Sequence, residues 1–130
     1  MADPISDMLS RIKNAQGIRA EMVDIPHSRI KEEIVKILAA EGFIGKFEIL
    51  KRMEKKFLRV ALKYRENKRG LIAGLKRVSK PGRRVYSDFR SLFKVQAGFG
   101  LAVVSTSRGI MTDEEARAKK LGGEVMLKIW

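Results

Sequence analysis

The sequence predicts an α+β fold made of two small α/β domains packed together, and three observations lead there. Hydrophobic periodicity through residue 64 runs in the order α-β-α-β-β, whereas beyond it short strands dominate, with short helices between them. A polar, charged break, Arg65-Glu66-Asn67-Lys68-Arg69-Gly70, separates the two patterns. It divides an N-terminal α/β domain, residues 1–66, from a C-terminal β-rich domain, residues 67–130. A chain of 130 residues suffices for one ordinary domain or two very small ones sharing an interface, and 45% hydrophobic against 33% charged residues is a composition that folds.

Asp3-Pro4 opens the first helix, with Asp3 as N-cap, Pro4 at the first helical position and Ile5, Met8, Leu9 and Ile12 at helical spacing. Gly17 stops it. Met22 to Pro26 is a short strand. Ser28 caps a second helix whose Ile30, Ile34, Ile37 and Leu38 form one apolar face, ended by Gly42. Alternating segments at 47–50 and 57–64 make a hairpin joined by the charged turn Met53-Glu54-Lys55-Lys56.

After the break, a strand is expected from about Leu71 to Val78 and another from Arg83 to Tyr86, with Pro81 and Gly82 at the central positions of a type II turn. Ser87 or Asp88 caps a short helix carrying Phe89, Leu92 and Phe93. Gly98 and Gly100 lead into a strand from Leu101. Thr112-Asp113-Glu114-Glu115 fits a capping box in which Glu115 reaches back to Thr112, giving a helix to about Leu121. Val125, Leu127 and Ile129 alternate in a closing strand. The sequence contains neither an internal repeat nor a low-complexity segment.

The charge balance narrows the function. A net charge of +13 and a pI near 10.3 point to a polyanionic partner, of which nucleic acid is the commonest. The charge is uneven: residues 1–64 hold 13 Lys+Arg against 9 Asp+Glu, and residues 65–130 hold 15 against 6. Within the second half Lys76, Arg77, Lys80, Arg83 and Arg84 crowd one hairpin that also presents Tyr86, and cations beside an aromatic ring suit phosphate and base contacts. No apolar run spans a bilayer, and Asp3 and Asp7 interrupt the N-terminus before a signal peptide forms, so no membrane partner is expected. The absence of cysteine excludes disulfides and thiolate metal sites; a reducing compartment, the cytoplasm, is expected, with no metal or cofactor.

A second feature is the run Leu101-Ala102-Val103-Val104-Ser105-Thr106-Ser107-Arg108-Gly109, an apolar strand ending in three hydroxyls, an arginine and a glycine. Hydroxyls both donate and accept, which suits a base edge or a ribose 2′-OH better than a bare phosphate. Gly122-Gly123-Glu124 repeats the small-residue theme before the last strand.

Six blocks in order, Asp3-Pro4-Ile5-Ser6-Asp7-Met8-Leu9, Glu41-Gly42-Phe43-Ile44, Lys80-Pro81-Gly82-Arg83-Arg84-Val85-Tyr86, Ser105-Thr106-Ser107-Arg108-Gly109, Glu115-Ala116-Arg117 and Gly122-Gly123-Glu124, resemble the eighth small-subunit ribosomal protein family of bacteria. They are collinear and span nearly the whole chain. The resemblance implies a primary binder of the central domain of small-subunit ribosomal RNA that helps assemble the platform beside neighbouring ribosomal proteins, performs no catalysis, and represses its own operon through an mRNA site mimicking the ribosomal one. It implies that Ser105, Thr106 and Ser107 are the main contact with a distorted RNA stem, and that Gly122 and Gly123 let backbone come close. Glu124 orients the serine loop or accepts from a base amino group, Tyr86 stacks on or packs against the ribose chain, and Lys80, Arg83 and Arg84 neutralise phosphate. Asp3, Pro4, Ser28, Arg29 and Lys31 lie at helix starts, where free backbone amides favour phosphate, and Lys55 sits on a hairpin tip. Phe99 and Leu101 depart from the smaller aliphatic and the isoleucine that the family pattern implies, which bears on packing.

Plainer readings compete. Ser and Thr at a strand end serve as turn residues, Gly122-Gly123 alone reads as a helix C-cap, Tyr86 as core, and His27 as a solvent-facing loop residue. A nuclease using Ser105 or Ser107 as nucleophile, or Asp113, Glu114 and Glu115 as metal ligands, lacks the base or paired carboxylates that activation needs. A free-standing mRNA-binding translational regulator uses the same chemistry as the ribosomal reading.

Overall fold

The computed structural model describes residues 3–67, 69–92 and 95–130, so Lys68 of the charged break and Phe93 of the expected short helix lie outside the described residues. Residues 5–71 form one compact unit, and residues 72–130 with Asp3 and Pro4 form another.

In the first unit the order is α1 (Pro4–Gly17), β1 (Met22–Pro26), α2 (Arg29–Ala40), β2 (Phe47–Arg52) and β3 (Lys55–Ala61). The strands make an antiparallel sheet in the order β1-β3-β2, with Leu58 facing Ile25 on one side and Ile49 on the other. Both helices bury one stripe, Met8, Leu9 and Ile12 of α1 and Ile34, Val35 and Leu38 of α2, in a core shared with Ile25, Leu58 and Val60. Local signals fix the ends of α2: the Ser28 hydroxyl accepts from the Lys31 amide at 3.2 Å, and Gly42, at φ 83, takes the left-handed turn that stops the helix. The β2–β3 hairpin turns on two residues, Met53 (φ 49) and Glu54 (φ 69), a type I′ geometry without glycine. Lys55 and Lys56 therefore belong to the strand and not to the turn. β3 ends at Ala61, short of Tyr64, which instead bridges to Gly70 and donates its hydroxyl to the Ala20 carbonyl at 2.5 Å; burial pushes that phenol's pKa up.

In the second unit, β4 (Leu75–Arg77), β5 (Tyr86–Ser87), β6 (Leu101–Thr106), β7 (Gly109–Thr112) and β8 (Gly123–Ile129) form one antiparallel sheet, with α3 (Asp113–Ala118) and short 3-10 turns at 89–91 and 95–98. β8 is central: β6 then β7 lie on one side, and β4 and β5 follow one another along the other. Its register slips between Val103↔Leu127 and Val104↔Val125, which leaves Met126 as the extra residue of a bulge. Leu92, Val95, Ala102, Val104, Met111, Ala116 and Val125 form a core cluster against which Phe89, Leu121 and Trp130 pack.

Several expectations are corrected here. The strand expected over 71–78 is only Leu75–Arg77, because the Ala73 and Gly74 amides both donate to the Trp130 carbonyl, at 2.7 and 3.0 Å, and the chain bends there. The strand expected over 83–86 is Tyr86–Ser87. Lys80 and Arg83 exchange backbone hydrogen bonds at 3.0 and 2.9 Å, and Gly82 has no positive φ, so the turn is not type II. Half of the capping box forms: the Thr112 hydroxyl accepts from the Glu115 amide at 3.1 Å, but the Glu115 carboxylate binds Lys119. α3 ends at Ala118, with Lys120 rather than a glycine at positive φ. Asp88, not Ser87, caps the 3-10 turn. Leu101 is buried, whereas Phe99 is 87% exposed, so the Phe99 departure does not touch the packing.

Candidate nucleic-acid interface

One end of the five-stranded sheet gathers residues far apart in sequence. Glu124 of β8 stands opposite Tyr86 of β5 and Ser105 of β6, and directly opposed residues of antiparallel strands share a face. Gly123 stands opposite Ser87 and Thr106 in the adjoining row. The β6–β7 turn projects beyond it: Ser107 and Arg108 are exposed, and Gly109, at φ 113, holds a conformation few other residues adopt. Tyr86 is 71% exposed, which removes the core reading of its ring.

The three hydroxyls are not equivalent. Thr106 donates to the Gly109 carbonyl at 2.8 Å and accepts from the Arg108 amide at 3.1 Å, so it braces the turn. Ser107 remains the exposed hydroxyl of the run, and Ser105 is half-buried in the strand. Gly122 and Gly123 do not cap a helix. A Cβ on Gly123 would overlap the Ser105 carbonyl, and one on Gly122 would stand 2.6 Å from the Ser87 carbonyl, so the close approach they permit is between strands of this sheet.

Glu124 is held from below. One carboxylate oxygen accepts from the Arg84 guanidinium at 3.0 Å and from the hydroxyl of Ser79, a fully buried residue whose oxygen also accepts from the Val85 amide at 3.1 Å. Arg84 thus neutralises a carboxylate of its own chain rather than standing free. Lys76, Lys80 and Arg83 are exposed and lack an ion-pair partner among the described residues. Arg77 leaves the basic hairpin altogether: its side chain is 7% exposed, bonded to Asp3 at 3.3 Å and to the Met126 bulge carbonyl at 2.6 Å.

The other nominated residues scatter. Asp3 is engaged with Arg77, and Pro4 is exposed at the first turn of α1. Ser28 uses its hydroxyl as the α2 cap, and Arg29 is exposed. Lys31 is corrected: it is 5% exposed and donates its ammonium to the Pro26 carbonyl at 3.2 Å, which takes it off the surface. Lys55 is exposed at the start of β3 and lines, with Arg52, Lys56, Met53 and Phe57, a groove of about 560 Å³ in the first unit. Arg52 and Arg59 lie over the Phe57 ring at 5.7 and 5.6 Å. Arg59 also grips Asp24 with two hydrogen bonds, at 2.9 and 3.1 Å, holding that carboxyl below its usual pKa.

His27 is not a solvent-facing bystander. It is half-buried and hydrogen-bonded to Glu32 at 2.8 Å, and with Lys36 it holds the Glu32 carboxyl below its ordinary pKa. Asp113, considered above as a metal ligand, is buried, accepting from the Ala102 amide at 2.9 Å and from Arg117 at 2.6 Å. Among the described residues no cluster of three or more His, Cys, Asp or Glu is placed to hold a metal. Sequence reasoning missed Ser79; a serine before a Pro-Gly turn carries no local sign that it will be buried.

Fold and surface together define a small, basic α+β protein of two units, with an aromatic ring, a carboxylate and hydroxyls aligned at one sheet end beside exposed cations. Comparison with known proteins is specific. A family model described as ribosomal protein S8 matches residues 3–130. A protein of Caldicellulosiruptor bescii named small ribosomal subunit protein uS8 is 52% identical over 128 residues, covering 98% of this chain and 97% of that one. Proteins of the same name from Halalkalibacterium halodurans and Exiguobacterium sibiricum are 49% and 52% identical over 130 residues, covering all of this chain and 98% of each. The chain belongs to the ribosomal protein S8 family, a family of structural, RNA-binding proteins of the small ribosomal subunit and not of enzymes.

Proposed function

We propose that the chain is a primary binder of ribosomal RNA, that it grips a stem in the central domain of the small-subunit RNA through the end of its five-stranded sheet, and that it thereby helps assemble the platform. The observation that carries this reading is the row Tyr86–Glu124–Ser105, with Ser107 exposed at the adjoining turn. An A-form major groove is too narrow for side chains, so recognition falls to the shallow minor groove or to bases displaced from the stack. A small hydroxyl at Ser107 reaches a ribose or base edge there. Tyr86 offers a ring to a sugar or base, Glu124 accepts from a base amino group, and Lys80 and Arg83 meet phosphates. Arg84 holds Glu124 in place. Residues 67–130 are thus the RNA-binding domain of the proposal. Arg29, Lys55 and the Asp3-Pro4 helix start of residues 1–66 are auxiliary, and Gly122 and Gly123 act by keeping the strands close. The same surface, binding a similar stem in its own operon mRNA, represses translation. The working site is the small subunit in the cytoplasm, beside other ribosomal proteins.

Filter binding of the purified protein to the isolated central-domain stem, against a random duplex of equal length, tests this. A preference for the stem, with competition by the operon mRNA and co-sedimentation with the small subunit, is expected. Equal affinity for both duplexes overturns the reading, and stem binding without co-sedimentation makes the protein a free-standing mRNA regulator.

A further inference from the structure

We infer that Ser79, which cannot reach a ligand, is a positioning residue that sets RNA specificity. The inference rests on the reading just given. Ser79 is fully buried, yet its hydroxyl joins three elements: it donates to the Glu124 carboxylate on β8, accepts from the Val85 amide at 3.1 Å just before β5, and stands at the end of the segment leaving β4. Its own amide donates to the Val125 carbonyl at 3.1 Å, and the Val125 amide donates to the Val85 carbonyl at 2.9 Å. One hydroxyl therefore closes a ring of bonds beneath the Tyr86–Glu124 pair.

Two consequences follow for the Tyr86–Glu124–Ser105 row. A two-residue strand has little ladder of its own, so the direction of the Tyr86 ring depends on what fixes Val85, and Ser79 fixes it from within. Glu124 would otherwise rotate about its side-chain torsions, and the paired grip of Ser79 and Arg84 on one oxygen, Oε2, holds the carboxylate in one orientation. Ser79 carries no charge and is out of solvent, so it adds nothing to general attraction for a polyanion. Its effect is confined to the geometry of the groups that read.

Three variants test this: Ser79→Ala removes the hydroxyl, Ser79→Thr restores it, and Thr112→Ala deletes the α3 cap in the same unit as a control for lost stability. Each is assayed for affinity to the central-domain stem and to a random duplex, at a temperature where its melting curve shows it folded, and hydrogen exchange of the Val85 amide is followed by NMR. Ser79→Ala is expected to lose about tenfold on the stem, to keep its random-duplex affinity and salt slope, and to exchange the Val85 amide faster. Ser79→Thr is expected to recover most of the stem affinity, and Thr112→Ala to change neither RNA affinity. If Ser79→Ala keeps its stem preference while Ser107→Ala loses it, Ser79 has no positioning role although the interface stands. If Thr112→Ala loses stem affinity as Ser79→Ala does, the effect is one of stability and the inference fails. If neither serine variant alters the preference, the interface itself is misplaced.

Discussion

Two basic turns, one in each unit, differ in what stands beside their cations. Around Met53-Glu54 the cations are partly engaged with their own chain: Lys51 pairs with Glu54 at 3.4 Å, and Arg52 lies over Phe57, whose other neighbour is Arg59. No hydroxyl stands in the strands beside them. Around Pro81-Gly82, Lys80 and Arg83 carry no ion pair among the described residues and run directly into Tyr86, which is in register with Glu124 and Ser105. The first turn can attract a polyanion. On the reading proposed here the second couples attraction to hydrogen-bonding groups at fixed positions, which is what separates one RNA shape from another.

Gly123→Ala is the most drastic way to erase that difference. Its Cβ would overlap the Ser105 carbonyl, a backbone atom that cannot move aside, so the variant is expected to lose about 3 kcal/mol or more, the upper range for overpacking. A thermal melt reads this directly, and stem affinity should fall with it. A melt like that of the wild type would mean that the glycine serves the ligand rather than the sheet.

A salt series sharpens the comparison further. The slope of log affinity against log salt counts neutralised phosphates, and Lys80→Ala with Arg83→Ala should lower it by about two. Lys31→Met should leave it unchanged, because that ammonium is directed at the Pro26 carbonyl. An equal fall for Lys31→Met would return the first unit to the interface.

What the chain reveals by itself divides by range. The α-β-α-β-β order, the Met22–Pro26 strand, the Ser28 cap and the Gly42 stop are legible because each depends on residues within a turn or two. The short β4, the buried Arg77 and the seat of Ser79 depend on partners distant in sequence, at Trp130, at Asp3 and Met126, and at Glu124. Lys31 is the instructive case: it lies at a helix start amid charge, where phosphate is a fair guess, and only the packing of α2 beside the end of β1 shows the ammonium turned to a carbonyl. At the candidate interface the residue types were legible in Ser105-Thr106-Ser107 and Gly122-Gly123-Glu124. Their division into the exposed Ser107, the turn-bracing Thr106 and the strand-spacing glycines was not, since it is set by cross-strand register.

The smallest effect expected lies in the first unit, in the acid limb of its stability. The Asp24 carboxyl has a depressed pKa because Arg59 hydrogen-bonds it, so its contribution is complete above the ordinary carboxylate range and is lost as pH falls through the lowered value. Asp24→Asn should therefore flatten the acid limb slightly in melts between neutral and strongly acidic pH, and leave stem affinity at neutral pH unchanged. The pair is largely solvent-exposed, so the change is small. A steeper acid limb in the variant would contradict this account of the pair.

The measurement that bears most directly on the central claim is the affinity of Ser107→Ala for the central-domain stem and for a random duplex, across one salt series. Ser107 is exposed and uncharged. Its loss should cost about 1–3 kcal/mol on the stem, the range for leaving a polar partner unsatisfied, with random-duplex affinity and both salt slopes unchanged. Equal weakening on both RNAs, or no weakening on either, would contradict the claim that the β6–β7 turn reads the RNA.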